Sequence, residues 1–428
     1  VNSKGRLILV GLDGMPFGLV KGLAERSVMP NTKQLIDEGV FCPMASSIPE
    51  ISSVAWSSII TGENPGAHGV FGFTDLAPSS YRLVFPNFST LKAQPFWERE
   101  GSGRSVILNV PSTFPARALA GAMISGFVAL DLERATYPPA LVPWLQEQDY
   151  RVDVNSELAH KSLDLFLEDL DRTLRARIRT YRHLWTEEDW DTFVLVFTGT
   201  DRLAHFLWDA YEDEEHRYHD AFLDHLRQVD VAVGEIAERT NEDDVLLLLS
   251  DHGFERLESD VYVNHLLLQE GFLRVEKDQA RRPQDIADES QAFALDPGRI
   301  YVHLENRFPR GTVLSSDRDA LVTDLIATLE GLEFHGAKVI ERVYRREEIY
   351  EGPWLDQAPD LVVLAKKGFN LRGGLNPKQL FAKGAFMGKH SQPDAFLLIR
   401  SRHVSEIVLD YPGVSDIVSL VDSLCRRR

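Results

Sequence analysis

An α/β fold built on a doubly wound, mostly parallel sheet with helices on both faces is predicted by two recurring features of the chain. Apolar runs at residues 7–12, 192–197 and 245–249 each end in polar chemistry: Asp13 before Gly14, Thr198 through Asp201, and Ser250-Asp251-His252. Long amphipathic stretches at 162–185 and 218–239 stand among them, the first with Leu163, Phe166, Leu170, Leu174 and Ile178 at helical spacing. Such runs read as buried parallel strands, and ligands bind outside the carboxyl ends of strands in this architecture.

Taken in order, the run at 7–12 delivers Asp13 at a strand tip. A helix follows, with Met29-Pro30-Asn31 as a break before a second helix at 32–38, closed by Gly39. Residues 53–60 suggest a helix preceded by Ser52 and ended by Thr61-Gly62, and 63–72 form a turn-rich loop. A strand is expected at 105–111. After the strand at 245–249 the pattern becomes mixed: 276–290 is polar and loop-like, and 299–304 is a short strand. Residues 361–365 read as a strand returning to the core, followed by a glycine-rich segment at 370–374 and by Gly388-Lys389-His390. A last strand at 395–400 and a helix over 414–428 with a basic end complete the chain. The expected division is a catalytic core at 1–254 and 361–428, with a smaller inserted lid region at 255–360.

The 428 residues, 44% hydrophobic and 26% charged, suffice for one large domain or two. With 65 Asp and Glu against 46 Lys and Arg, the net charge of −19 argues against binding a nucleic-acid polymer along its backbone. A phosphorylated substrate would need local positive charge, and metal ions are its most economical source. Only Cys42 and Cys425 occur, without CxxC spacing, which excludes a disulfide framework and a thiolate zinc site. A reduced, cytoplasmic setting is the expectation. No apolar segment reaches the roughly 18 residues of a membrane span, and oligomeric state leaves no mark in the sequence.

Carboxylates, hydroxyls and imidazoles gather at the predicted strand ends and glycine-flanked loops: Asp13, Ser52, Asp201 with His205, Asp251 with His252, and His390. Mixed carboxylate and imidazole donors suit a zinc-like ion, and two sets permit two ions, as phosphoryl transfer uses. Each element alone is ambiguous. An Asp-Gly pair is commonly a turn, Asp201 and His205 could be a surface pair on a helix, and Ser52 could be a helix cap. Joint occurrence gives the pattern its force.

The segments LILVGLDG, PEISSVAWSSIITGENPGAHGVFGF, FTGTDRLAHFLW, LLLLSDHGF and GKHSQPDAFLLI resemble, in order and character, the type I phosphodiesterase/nucleotide pyrophosphatase family of the alkaline phosphatase superfamily. They look closest to its prokaryotic phosphohydrolase and phosphomutase-like branch. The resemblance implies a metal-dependent phosphoester hydrolase acting on a small phosphorylated substrate through a phosphoserine intermediate. It implies Ser52 as nucleophile, with Ser53 as the competitor. It further implies two divalent ions, zinc first with manganese or iron compatible, one held by Asp13, Ser52, Asp251 and His252 and the other by Asp201, His205 and His390. A phosphomutase and a non-catalytic phosphometabolite-binding protein are the alternatives. The chain departs from the family at Phe73, where nucleotide pyrophosphatases carry an asparagine that contacts the phosphoryl oxygen; Asn109 is the candidate replacement donor. His68 is expected to fix the loop after the nucleophile helix, and Gly69 to serve a tight turn.

Overall fold

A computed structural model describes residues 5–276, 282–375, 379–404 and 409–426. The chain divides into two compact units, one of Val1–Glu63, Asn87–Phe254 and His390–Arg428, the other of Asn64–Pro86 and Glu255–Lys389.

The first unit is organised by an eight-stranded sheet. Its order is Val40–Met44, Ala395–Arg400, Val245–Leu249, Leu7–Leu12, Thr192–Phe197, Ser105–Leu108, Gly121–Ile124, Thr136–Tyr137. The run from Val245–Leu249 through Gly121–Ile124 is parallel, whereas Ala395–Arg400 and Thr136–Tyr137 join it antiparallel. Leu7–Leu12, Thr192–Phe197 and Val245–Leu249 are buried at every residue, the condition of strands covered on both faces. Their register brings Leu12 level with Phe197 and Gly11 level with Leu249, so three polar segments leave the sheet side by side. Hydrogen bonds tie the tips together: Asp13 N donates to the Phe197 carbonyl at 3.1 Å, and Thr200 Oγ1 donates to the Asp13 carbonyl at 2.6 Å.

The helices Leu163–Glu187 and His219–Glu238 lie within two residues of the expected bounds, and the Ser162 side chain caps the first by accepting from Leu165 N. Two local expectations change. Pro30 does not break a helix but begins one, Pro30–Glu38, because a first-turn position needs no amide hydrogen. The strand expected at 105–111 stops at Leu108, since Asn109 turns the chain with φ of 63°.

The second unit has its own core. An antiparallel sheet runs Ala292–Leu295, Arg299–Val302, Leu361–Ala365, Ile340–Arg345. Val322, Leu325 and Leu329 of helix Arg318–Gly331 join Phe293, Ile300 and Val363 in that core. Leu361–Ala365 was expected with the main sheet, but it pairs here, because its apolar run is as suited to one buried sheet as to another. Of the expected loop 276–290, residues 277–281 lie outside the described residues, as do 427–428 of the basic C-terminal end. Among the described residues no helix is long and apolar enough to cross a membrane.

Candidate active site

Asp13, Asp201, Asp251 and His252 are carried at or just beyond the carboxyl ends of adjacent parallel strands, and all four are buried. Asp201 and His205 sit on the first turns of helix Gly199–Glu212, whose start follows directly from Thr192–Phe197. His390 belongs to the short strand Gly388–Ser391. Ser52 is the first residue of helix Ser52–Thr61, which is buried along its whole length and closed by Gly62 at φ 73°.

These side chains converge. Ser52 Oγ is 3.1 Å from His252 Nε2 and 3.4 Å from Asp13 Oδ1. Ser52 is therefore not the helix cap: that position is Ile51, and the serine hydroxyl points to the acid and imidazole cluster instead. The backbone amides of Ser52 and Ser53 have no partner among the described residues, which leaves donors for an anion at the helix start. Among the described residues Ser53 Oγ is buried without a hydrogen bond and does not join the cluster.

Asp13, Asp251 and His252 place donor atoms within 4.8 Å of one another, as do Asp201, His252 and His390, so His252 is common to both groups. His205 Nε2 is 3.0 Å from His390 Nε2 and 3.4 Å from Asp201 Oδ1, which brings it into the second group. Backbone carbonyls orient two of the rings. His252 Nδ1 faces the Gly253 carbonyl and His390 Nδ1 the Glu50 carbonyl, each at 3.0 Å. A carbonyl only accepts, so the proton resides on Nδ1 and the Nε2 lone pair is turned into the site. The two rings stack with centroids 3.7 Å apart.

Electrostatics explain why the cluster calls for cations. Burial, reinforced by Asp251 and Asp201, pushes the Asp13 carboxyl well above the usual range. Burial likewise pushes Asp251 up to about 7, against the Gly14 amide that donates to Oδ1 at 3.1 Å. Among the described residues Asp251 Oδ2 is buried without a hydrogen bond, 3.4 Å from His252 Nε2. Burial and the neighbouring His390 bring His252 down to about 4. Asp201 goes the other way. Burial would raise it, but His205, His390 and Arg202 hold it well below the usual range. Three buried carboxyl groups beside imidazole nitrogens, two of them pushed up by burial, fit divalent cations through oxygen and nitrogen donors.

Two supporting residues were not singled out from the sequence. Arg202 donates from Nη1 to Asp201 Oδ2 at 2.8 Å and from Nε and Nη2 to Asp153 Oδ2. That occupies one oxygen of Asp201 and leaves Oδ1 toward the histidines. Trp56 Nε1 donates to Asp13 Oδ2 at 3.0 Å. Their adjacency to Asp201 and Ser52 in the motifs was visible, but the partners are made only by the fold. Asn109 stands apart: its amide donates to the Val196 carbonyl at 3.0 Å and Thr198 Oγ1 at 3.3 Å, bracing a strand end. His68 accepts from Val70 N through Nδ1 at 3.2 Å in the second unit, and Gly69 turns that loop at φ 74°.

A buried serine among carboxylates and imidazoles, at the carboxyl edge of a mostly parallel sheet, accords with the phosphoester hydrolase that the family match indicates. Residues 7–392 match the type I phosphodiesterase/nucleotide pyrophosphatase family, and the chain belongs to that family. Its fold is similar to that of phosphonoacetate hydrolase from Sinorhizobium meliloti 1021 in complex with phosphonoformate. That comparison has a TM-score of 0.66 at 15% identity, covering 99% of this chain and 96% of that one. It is also similar to murine ectonucleotide pyrophosphatase/phosphodiesterase 5 in an inactive form in complex with AMP. Here the TM-score is 0.56 at 12% identity, with 99% and 95% of the two chains covered. No curated protein matches by sequence.

Proposed function

We propose that the chain hydrolyses a small phosphorylated substrate in two steps, with Ser52 as the transient phosphoryl carrier. The observation that carries this reading is the Ser52 hydroxyl within hydrogen-bond reach of both His252 and Asp13 at the start of a buried helix. Two divalent ions, zinc first with manganese or iron compatible, would be held by Asp13, Ser52, Asp251 and His252 and by Asp201, His205 and His390. They would lower the pKa of the attacking hydroxyl and neutralise charge on the phosphoryl oxygens.

Ser52 Oγ gives up its proton to solvent and forms a bond to phosphorus as the ester oxygen leaves. The amides of Ser52 and Ser53, without a partner among the described residues, would donate to the phosphoryl oxygens, and the leaving oxygen takes a proton from solvent. Water then attacks phosphorus, the bond to Oγ breaks, and the serine regains its proton as phosphate departs. Relatives captured with phosphonoformate and with AMP support a small phosphorylated substrate.

Elemental analysis, paired with hydrolysis of bis-p-nitrophenyl phosphate and p-nitrophenyl phosphate, tests the reading. About two ions per chain are expected, with kcat/KM in Ser52→Ala lowered by roughly a thousandfold or more. Ser53→Ala is expected to stay within a few-fold of wild type. Full turnover by Ser52→Ala would sink the nucleophile assignment.

A further inference from the structure

The second unit contains a cavity of about 600 Å³ that shares no residue with the Ser52 cluster. Arg307, Arg318 and Arg346 line it, together with Leu76, Leu304 and Phe308. The three guanidinium groups gather around Asp360, a carboxylate with no solvent exposure. Arg318 Nε donates to Asp360 Oδ1 at 2.6 Å and Arg307 Nη1 to Oδ2 at 3.3 Å, while the Val302 amide donates to Oδ2 at 2.9 Å. Glu347 accepts from Arg318 Nη2 and from Arg346 Nε, each at 3.0 Å. Arg307 Nη2 donates to the Gln357 and Ala358 carbonyls, and its guanidinium lies 5.0 Å from the Tyr301 ring centroid.

Arg346 is the exception in this network. Its side chain is only 12% exposed, yet among the described residues its two terminal nitrogens donate no hydrogen bond; Nη1 stands 3.8 Å from Asp360 Oδ1 and Nη2 4.0 Å from Asp356 Oδ1. A largely desolvated guanidinium whose fork donates no hydrogen bond is costly unless a ligand accepts from it. Of the acidic side chains that line the cavity, Asp356 is fully exposed. Asp75 has its Oδ1 engaged by Tyr301 Oη and the Leu76 amide. Five carboxylates, Asp360, Glu347, Asp75, Asp356 and Asp319, stand around the three guanidinium groups, so the attraction for an anion comes from the Arg346 fork and not from a net positive charge. Volume, apolar walls and a planar donor fork together match a small organic anion, since paired guanidinium nitrogens fit two oxygens of a carboxylate or phosphate.

We propose that the pocket bounded by Arg307, Arg318 and Arg346 is a second binding site, for a small metabolite bearing a phosphate or carboxylate group. It shares no residue with the catalytic cluster and needs no metal ion.

Calorimetric titration of the full chain, stripped of metal by chelation, tests this with inorganic phosphate in one arm and succinate in the other. The tighter arm identifies the anion class. Binding is expected in the wild type. It is expected to weaken at least about fivefold in Arg346→Gln, and also in Ser315→Asp, which places a negative charge at an exposed lining position without touching the arginine network. The second variant decides the matter if the first melts at a lower temperature. Absence of binding of either anion at concentrations on the order of 10 mM, or binding indifferent to Ser315→Asp, overturns the proposal.

Discussion

At the scale of single residues, Arg202 determines which oxygen of Asp201 is available. Its guanidinium bridges Asp201 Oδ2 and Asp153 Oδ2, so Asp201 can offer a cation Oδ1 alone, the atom that also faces His205 and His390. Removing a charged partner of this kind frees the carboxylate to rotate, and outer partners of metal ligands commonly carry 10–100-fold of affinity. Arg202→Ala is therefore expected to weaken zinc affinity about tenfold or more, while Arg202→Lys restores part of it; competition against a chromogenic chelator reads the constant. Equal zinc affinity in wild type and Arg202→Ala would remove Arg202 from this role. The seven clustered side chains were legible because each stands at the end of an apolar run or in a glycine-flanked loop, places where packing alone does not call for acids or histidines. Arg202 and Trp56 were not, because what identifies them is a partner chosen by the fold: Asp153 lies about fifty residues before Arg202 in the chain, and Asp13 about forty before Trp56.

At the scale of elements, the first strand and the nucleophile helix constrain one another through a missing side chain. A Cβ on Gly11 would lie 2.3 Å from Trp56 Cη2 and 3.1 Å from Val196 Cγ2, so the strand admits the indole only where it carries glycine. The same indole holds Asp13 Oδ2. Gly11→Ala is thus expected to cost about 1–3 kcal/mol in a denaturant titration and to lower activity by displacing Trp56 from Asp13. Trp56→Phe keeps the space and loses only the hydrogen bond; if Gly11→Ala matched wild type in both stability and rate, the packing argument would fail. Central strands such as 192–197 and 245–249 were readable to the residue because burial on both faces makes them uniformly apolar. The edge strand Val40–Met44 and the short Gly121–Ile124 were not anticipated, since half-buried or four-residue strands leave no clear period. Leu361–Ala365 was read correctly as a strand and assigned to the other sheet, because pairing partners are a tertiary choice that apolar content does not encode.

At the scale of the whole molecule, the buried cluster links folding to pH and to cations. The Asp251 carboxyl, ordinarily near 3.8, is held at about 7 in the folded chain, so the fold keeps this proton more tightly than the unfolded chain does. Stability tied to it is complete below about 3.8 and is lost as pH rises through about 7. His252 has the opposite sign: lowered from 6.5 to about 4, it contributes above 6.5 and loses that contribution as pH falls through 4. The two oppose one another between about 4 and 6.5, and from there upward Asp251 prevails. A divalent cation takes the place of the proton, so its stabilisation is expected to grow over the interval in which Asp251 would otherwise ionise unaided. The rise in melting temperature on adding zinc to the metal-free chain should accordingly be larger at about pH 8 than at about pH 6. Asp251→Asn should flatten that dependence and stabilise the metal-free chain at the higher pH. A zinc-induced shift independent of pH in the wild type would mean that Asp251 ionises without the cation, and the electrostatic account of the cluster would have to be abandoned.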